Sequence, residues 1–245
     1  NYDKLDKDKK YKSFKHHQLD VFNFNYKQYP NDFFDIVTCS PVCLWWSPLR
    51  NTWIGRRMKN KKTGKKYEKP FTKEILYADI DKYGKPMVDK CFEIINYFKE
   101  GNKDLYWWIE NPQKGKMKTY IEDKPFYDVD YCKYSEWGYQ KRTRFWTNIK
   151  NFKPQLCKRD CDNMIVIKKD QKLHKNRMGT SKTIEDNGKI IRVNTKALRE
   201  KYKDYTNLQI KNKHKTEIHD YGVGANRLMR YRIPPKLIEA LFKCM

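Results

Sequence analysis

Apolar positions fall in short, separate runs along an otherwise polar chain. Phe34-Asp35-Ile36-Val37-Thr38-Cys39 is rich in β-branched residues and lies between Asn31-Asp32 and Ser40-Pro41, a pattern that predicts a buried strand. Pro86 suits the first turn of a helix. Val88, Cys91, Phe92, Ile95 and Phe98 then recur at helical spacing until Gly101 stops them. Leu105-Tyr106-Trp107-Trp108-Ile109 predicts a second buried strand, whose carboxyl end delivers Glu110-Asn111-Pro112. Two further strands are expected over 128–132 and 143–147, with Gly138 and Gln140 in the turn between them. After Pro234-Pro235, helical spacing returns at Leu237, Ile238 and Leu241. Strand, helix, strand predicts an α/β protein with a parallel sheet. Ligand groups in such sheets gather at the carboxyl ends of strands, so Cys43 and Glu110 are expected to face one crevice.

The intervening stretches are less regular. Residues 44–73 form a long connection that carries Trp45, Trp46, Trp53, Arg50, Arg56, Arg57 and many lysines. Connections of that length without periodicity are functional or disordered. Residues 150–220 are Lys-rich with few apolar runs, and no internal repeat or Gly-rich phosphate loop is present. The expected organisation is a main domain over 1–150, a small irregular basic region over 151–225, and a terminal segment over 226–245 whose helix packs back on the main domain.

Charge changes the picture. Lys and Arg outnumber Asp and Glu by 54 to 30 in 245 residues, a net charge of +24. That balance points to a polyanionic partner, nucleic acid first. Lysine enrichment from an AT-rich genome is the plainer explanation and accounts for many of the lysines, though not for the arginine pairs. Aromatic residues at 15% are too frequent for a disordered basic tail. No apolar run reaches the roughly 18 residues needed to span a bilayer, and there is no signal peptide. An intracellular, monomeric protein without membrane contact is expected. Its seven cysteines form no regular framework and read as thiols or ligands rather than disulfides. The chain starts at Asn1 without an initiator Met, so an N-terminally incomplete sequence is expected.

Three short motifs carry candidate chemistry: Ser40-Pro41-Val42-Cys43, Glu110-Asn111-Pro112 and Gln140-Lys141-Arg142-Thr143-Arg144. They supply, in order, a thiol, a carboxylic acid and two guanidinium groups. Carbon 5 of cytosine is a poor nucleophile, but a thiolate added at carbon 6 turns the ring into an enamine-like species that attacks a methyl donor. Hydrogen bonding at ring nitrogen 3 eases the addition and calls for a carboxylic acid. Charge developing on the ring oxygen calls for a guanidinium. Taken singly, each motif has a plainer reading: a buried thiol after a strand, a polar turn, a solvated basic edge.

In this order the motifs resemble those of the DNA cytosine-5 methyltransferases, especially the compact phage and large-DNA-virus type. The resemblance covers about residues 15–148 and, more loosely, the Pro234-Pro235 helix. It implies a Rossmann-like S-adenosylmethionine-dependent methyltransferase fold with a small target-recognition region. It also implies Cys43 as the nucleophile, Glu110 on ring nitrogen 3 and the exocyclic amine, Arg144 on the ring oxygen, and Arg142 in support. Asp20, in Leu19-Asp20-Val21, is similar to the residue that reads the adenine of S-adenosylmethionine in this family, and Pro41 is placed with it in the cofactor site. Val42 stands where the family usually has a second Pro, and the family's Gly-rich first motif does not occur in this sequence. The substrate implied is DNA with a flipped cytosine. A catalytically inactive, DNA-binding relative is the alternative.

Two further groups leave alternatives open. Trp45, Trp46, Arg50, Arg56, Arg57 and Gln140 are expected to contact DNA, against the alternative that the tryptophans are core residues and the lysines a solvated loop. Cys157-x3-Cys161-x12-His174 has zinc-ligand spacing. Cys132, His214 and His219 are the candidates for a fourth ligand, against the alternative of two stray thiols and a surface histidine.

Overall fold

The computed structural model describes residues 17–58, 65–168, 171–174, 182–187, 189–193 and 232–245. A four-stranded sheet in the order β1-β2-β4-β3 lies at its centre. The strands are β1 (Ile36–Cys39), β2 (Tyr106–Pro112), β3 (Phe126–Asp130) and β4 (Arg142–Thr147). β1 and β2 run parallel, whereas β4 is antiparallel to both β2 and β3. The sheet is therefore mixed, and the expected parallel arrangement holds for β1 and β2. Parallel neighbours need a long crossover, which a helix supplies here, while the shorter loop from β3 to β4 permits an antiparallel pair.

That crossover contains α1 (Lys73–Asp79) and α2 (Lys85–Gly101). Thr72 caps α1, its hydroxyl accepting from the Ile75 amide at 3.3 Å. The two helices are joined through a π-helical turn over Ile80–Gly84, which ends two residues before Pro86. Proline supplies no amide hydrogen and its ring presses on the preceding turn, so a widened turn is the local way to keep the helix running. The buried face of α2 carries Val88, Cys91, Ile94, Ile95 and Phe98.

Both faces of the sheet are covered, which explains why β2 is nearly all apolar. Trp107, Ile109 and Trp146 pack against α1 and α2 through Leu76, Val88 and Ile95. On the other side, Trp108 and Phe145 pack against Leu237 and Leu241 of α3 (Pro235–Phe242). A smaller cluster of Tyr26, Ile94, Phe98 and Leu105 seats the chain before β1. Gly101 is required there: a Cβ at this position would come within 2.6 Å of the Asn31 backbone.

The basic region departs from expectation. It is not simply irregular, because its described parts form two hairpins: β5 (Met164–Lys168) with β6 (Gln171–His174), and β7 (Lys182–Asp186) with β8 (Lys189–Val193). Asn187-Gly188 between two β-branched runs is a strong hairpin signal, and Asn187 adopts φ 49°. No helix among the described residues is long and apolar enough to cross a membrane.

Candidate active site

Because Cys39 lies opposite Ile109 in the parallel pair, β1 and β2 end at the same edge of the sheet. The chain leaving β1 there carries Ser40-Pro41-Val42-Cys43, and β2 delivers Glu110 and Asn111. A buried hydrogen bond joins the two: the Asn111 side-chain amide donates to the Pro41 carbonyl at 2.9 Å. The chain then turns, with the Trp46 amide donating to the Cys43 carbonyl at 3.2 Å. Trp46 anchors that turn in the core.

Glu110 is buried and accepts two hydrogen bonds on Oε1, from Lys141 Nζ and from the Tyr131 hydroxyl, both at 3.1 Å. Burial pushes the Cys43 thiol up from its ordinary pKa; the Lys141 ammonium pulls it down and Glu110 pushes it up. Thiol, carboxylate and ammonium thus share one electrostatic neighbourhood. Lys141 was not singled out by the sequence reading, although alternation along β4 places it with Thr143 and Phe145, and Phe145 is the residue opposite Glu110. Neighbouring Cys39 lies against Cys91 of α2. Its hydrogen bond with Cys91, together with burial, raises its pKa far above the ordinary thiol value.

The arginines are placed differently from expectation. Arg144 lies opposite Asn111, so it leaves the sheet on the other face from Glu110. Its guanidinium forks onto Asp128 at 2.8 and 2.9 Å and lies 3.5 Å from the Phe126 ring centroid. Arg142, on the same face as Arg144, forks onto the fully buried Asp130, with its shortest bond at 2.7 Å. The Asp130 carboxylate raises the pKa of Arg142. Arg142 and Arg144 thus lie on the opposite face of the sheet from Glu110, each held by an aspartate. Strand alternation separates the groups, and two charge-assisted forks occupy the guanidiniums. Gln140 is exposed just before β4.

A cavity of about 640 Å³ opens beside β1, its lining including Asp20, Pro41, Val42, Met87, Ile94 and Phe98. It brings together the two residues expected in a cofactor site, Asp20 and Pro41, and ends one residue short of Cys43. Asp20 also caps a short 3-10 turn, accepting from the Phe22 amide at 3.1 Å.

The expected DNA-contacting group divides. Trp46 is 1% exposed and Arg50 2% exposed, so neither reaches a partner, which corrects the expectation for both. Arg50 is an internal cation: it pairs with Asp79 and its guanidinium sits 5.1–5.6 Å from the rings of Trp45, Trp53 and Phe71. Trp45 is half-buried and stacks on Tyr83. Arg56 and Arg57 are exposed.

Cys132, Cys157, Cys161 and His174 come together, with ligand atoms all within 4.8 Å of one another, a group able to hold a metal ion. Of the three candidates for the fourth position, Cys132 is in this group; His214 and His219 lie outside the described residues.

No protein-family model matches the chain. The chain is 39% identical over 151 residues to the probable DNA (cytosine-5)-methyltransferase of Frog virus 3 (isolate Goorha). The match covers 60% of this chain and 63% of that protein, so the chain spans somewhat less than two thirds of its relative's length. Over those 151 residues the chain is similar to a viral protein named as a probable DNA (cytosine-5)-methyltransferase, the family that the Cys43, Glu110 and Arg142–Arg144 motifs resemble.

Proposed function

We propose that this chain methylates carbon 5 of cytosine in DNA, with Cys43 as the nucleophile and Glu110 as the acid on the base. The observation that carries the reading is the junction of β1 and β2. One strand edge presents a thiol and a buried carboxyl group, and Asn111 ties the two loops together. The similarity to the Frog virus 3 protein supports the same reading.

The target base leaves the duplex and enters beside Cys43. The Cys43 thiolate adds to carbon 6, and Glu110 hydrogen-bonds or protonates ring nitrogen 3, so that electron density builds at carbon 5. Lys141 and Tyr131 both act on Oε1 of Glu110, which leaves Oε2 free of those two bonds to meet the base. Lys141, hydrogen-bonded to Glu110, supplies positive charge beside the base. S-adenosylmethionine supplies the methyl group when bound. The cavity beside β1 suits its adenosine end, with the Asp20 carboxylate as an acceptor for an exocyclic amine and apolar walls for the ring. Once carbon 5 carries the methyl group, its proton is lost and the Cys43–carbon 6 bond breaks, restoring the aromatic ring and the thiolate. We read the sheet and its two helical layers as part of a Rossmann-like methyltransferase fold and the hairpin region as the part that reads sequence.

DNA containing 5-fluorocytosine tests this reading directly, because fluorine at carbon 5 blocks the final elimination. With S-adenosylmethionine, the chain is expected to form a denaturant-resistant adduct that Cys43→Ser abolishes. DNA binding without an adduct would overturn the enzymatic reading.

A further inference from the structure

Cys132, Cys157, Cys161 and His174 come from three separate segments. Cys132 follows β3 in a short 3-10 turn, Tyr131–Lys133. Cys157 and Cys161 bracket a tight loop in which Arg159 adopts φ 65°, and His174 ends β6. All three thiols are buried and none is in a disulfide. His174 Nε2 lies 3.5 Å from the sulfur of Cys157 and 3.5 Å from that of Cys161. A tetrahedral zinc with bonds of about 2.3 Å to sulfur and 2.0–2.1 Å to nitrogen requires a sulfur–nitrogen edge of about 3.6 Å. The imidazole therefore already stands at the metal-site distance from two sulfurs.

His174 Nε2 faces two sulfurs at once, an arrangement that apolar packing does not produce. Three soft sulfurs and one imidazole select zinc among common divalent ions, and four protein ligands leave no open position for substrate.

We propose that Cys132, Cys157, Cys161 and His174 bind one zinc ion in a closed, structural site that fastens the β5–β6 hairpin to the edge of the central sheet. The attachment reaches the sheet through Asp130. Its carboxylate accepts from the Cys157 amide at 2.8 Å and holds the Arg142 guanidinium at 2.7 Å. Metal at the four ligands therefore fixes the loop that fixes Asp130, and with it the pairing of β3 and β4. The proposal is independent of the reaction assigned to Cys43.

Elemental analysis of the full chain, purified without chelators, is expected to give one zinc per chain. Replacing it with Co2+ is expected to give the intense d–d and thiolate charge-transfer absorption of a tetrahedral thiolate site. Cys132→Ser should lower the charge-transfer absorption by about a third, since one thiolate of three is lost. His174→Asn should weaken Co2+ binding about tenfold or more. If either variant fails to fold, mercurial titration of the wild-type protein decides the matter: zinc should be released as three thiols react. A folded protein that contains no zinc and takes up no Co2+, or a cobalt spectrum unchanged by Cys132→Ser, would overturn the proposal.

Discussion

The Cys43 thiol lies between opposed influences. Burial disfavours its thiolate most, Glu110 adds to that, and Lys141 works against both. Its alkylation rate, followed by peptide mass spectrometry, should therefore reach half-maximum above the ordinary cysteine value of about 8.5. Glu110→Gln removes a negative charge and should move the profile to lower pH, while Lys141→Met should move it to higher pH. Profiles that do not move, or move the opposite way, would remove both residues from the neighbourhood of the thiol. The sequence places Cys43 and Glu110 through strands whose composition marks them: Cys43 comes after β1, and Glu110 lies near the carboxyl end of β2. Lys141 was harder to see. It sits inside a motif whose arginines draw attention, and only the pairing of β4 with β2 shows which of the five residues share a face with Glu110.

Among the elements, local pattern and outcome agree where a segment carries its own punctuation. β1 ends at Ser40-Pro41, β2 at Pro112, and α2 begins beside Pro86 and ends at Gly101. The mixed strand order was not legible, because insertion of β4 between β2 and β3 depends on pairings between segments far apart in the sequence. The same holds for Trp46 and Arg50. Each looks like a surface binder in a Lys-rich stretch and becomes interior only once Phe71, Leu76 and Asp79 fold over it. The end of α2 gives a direct test of close packing. Gly101→Ala would press a methyl group into the Asn31 backbone and should cost about 1–3 kcal/mol, read by urea denaturation as a lower midpoint with an unchanged slope. A loss of only a few tenths would mean that the 31–34 turn yields freely.

For the molecule as a whole, a charge of +24 sets long-range attraction to a polyanion but does not say where it docks. Of the arginines expected to contact DNA, Arg50 is buried, while Arg56 and Arg57 are exposed beyond the Cys43 turn. The double substitution Arg56→Ala, Arg57→Ala should weaken binding to DNA of any sequence and reduce the slope of log affinity against log salt by about two. Fluorescence anisotropy across a salt series reads both quantities, and an unchanged slope would place the DNA elsewhere. Adduct formation on 5-fluorocytosine at saturating DNA should survive this change, because neither arginine touches the reacting base in the proposed arrangement.

The tie between Asn111 and Pro41 has a chemical lifetime as well as a geometry. Asparagine ages when the next backbone nitrogen attacks its side chain, closing a succinimide that opens to aspartate or isoaspartate. Such a change at Asn111 would replace an amide donor with a carboxylate facing the Pro41 carbonyl and would release the nucleophile's loop. The next nitrogen belongs to Pro112, which carries no hydrogen to give up, so that ring closure is blocked at its first step. Asn187, in the turn after β7 and followed in sequence by a glycine, has no such protection. The protein should thus age first in its basic hairpins and last at the joint that holds its thiol in place.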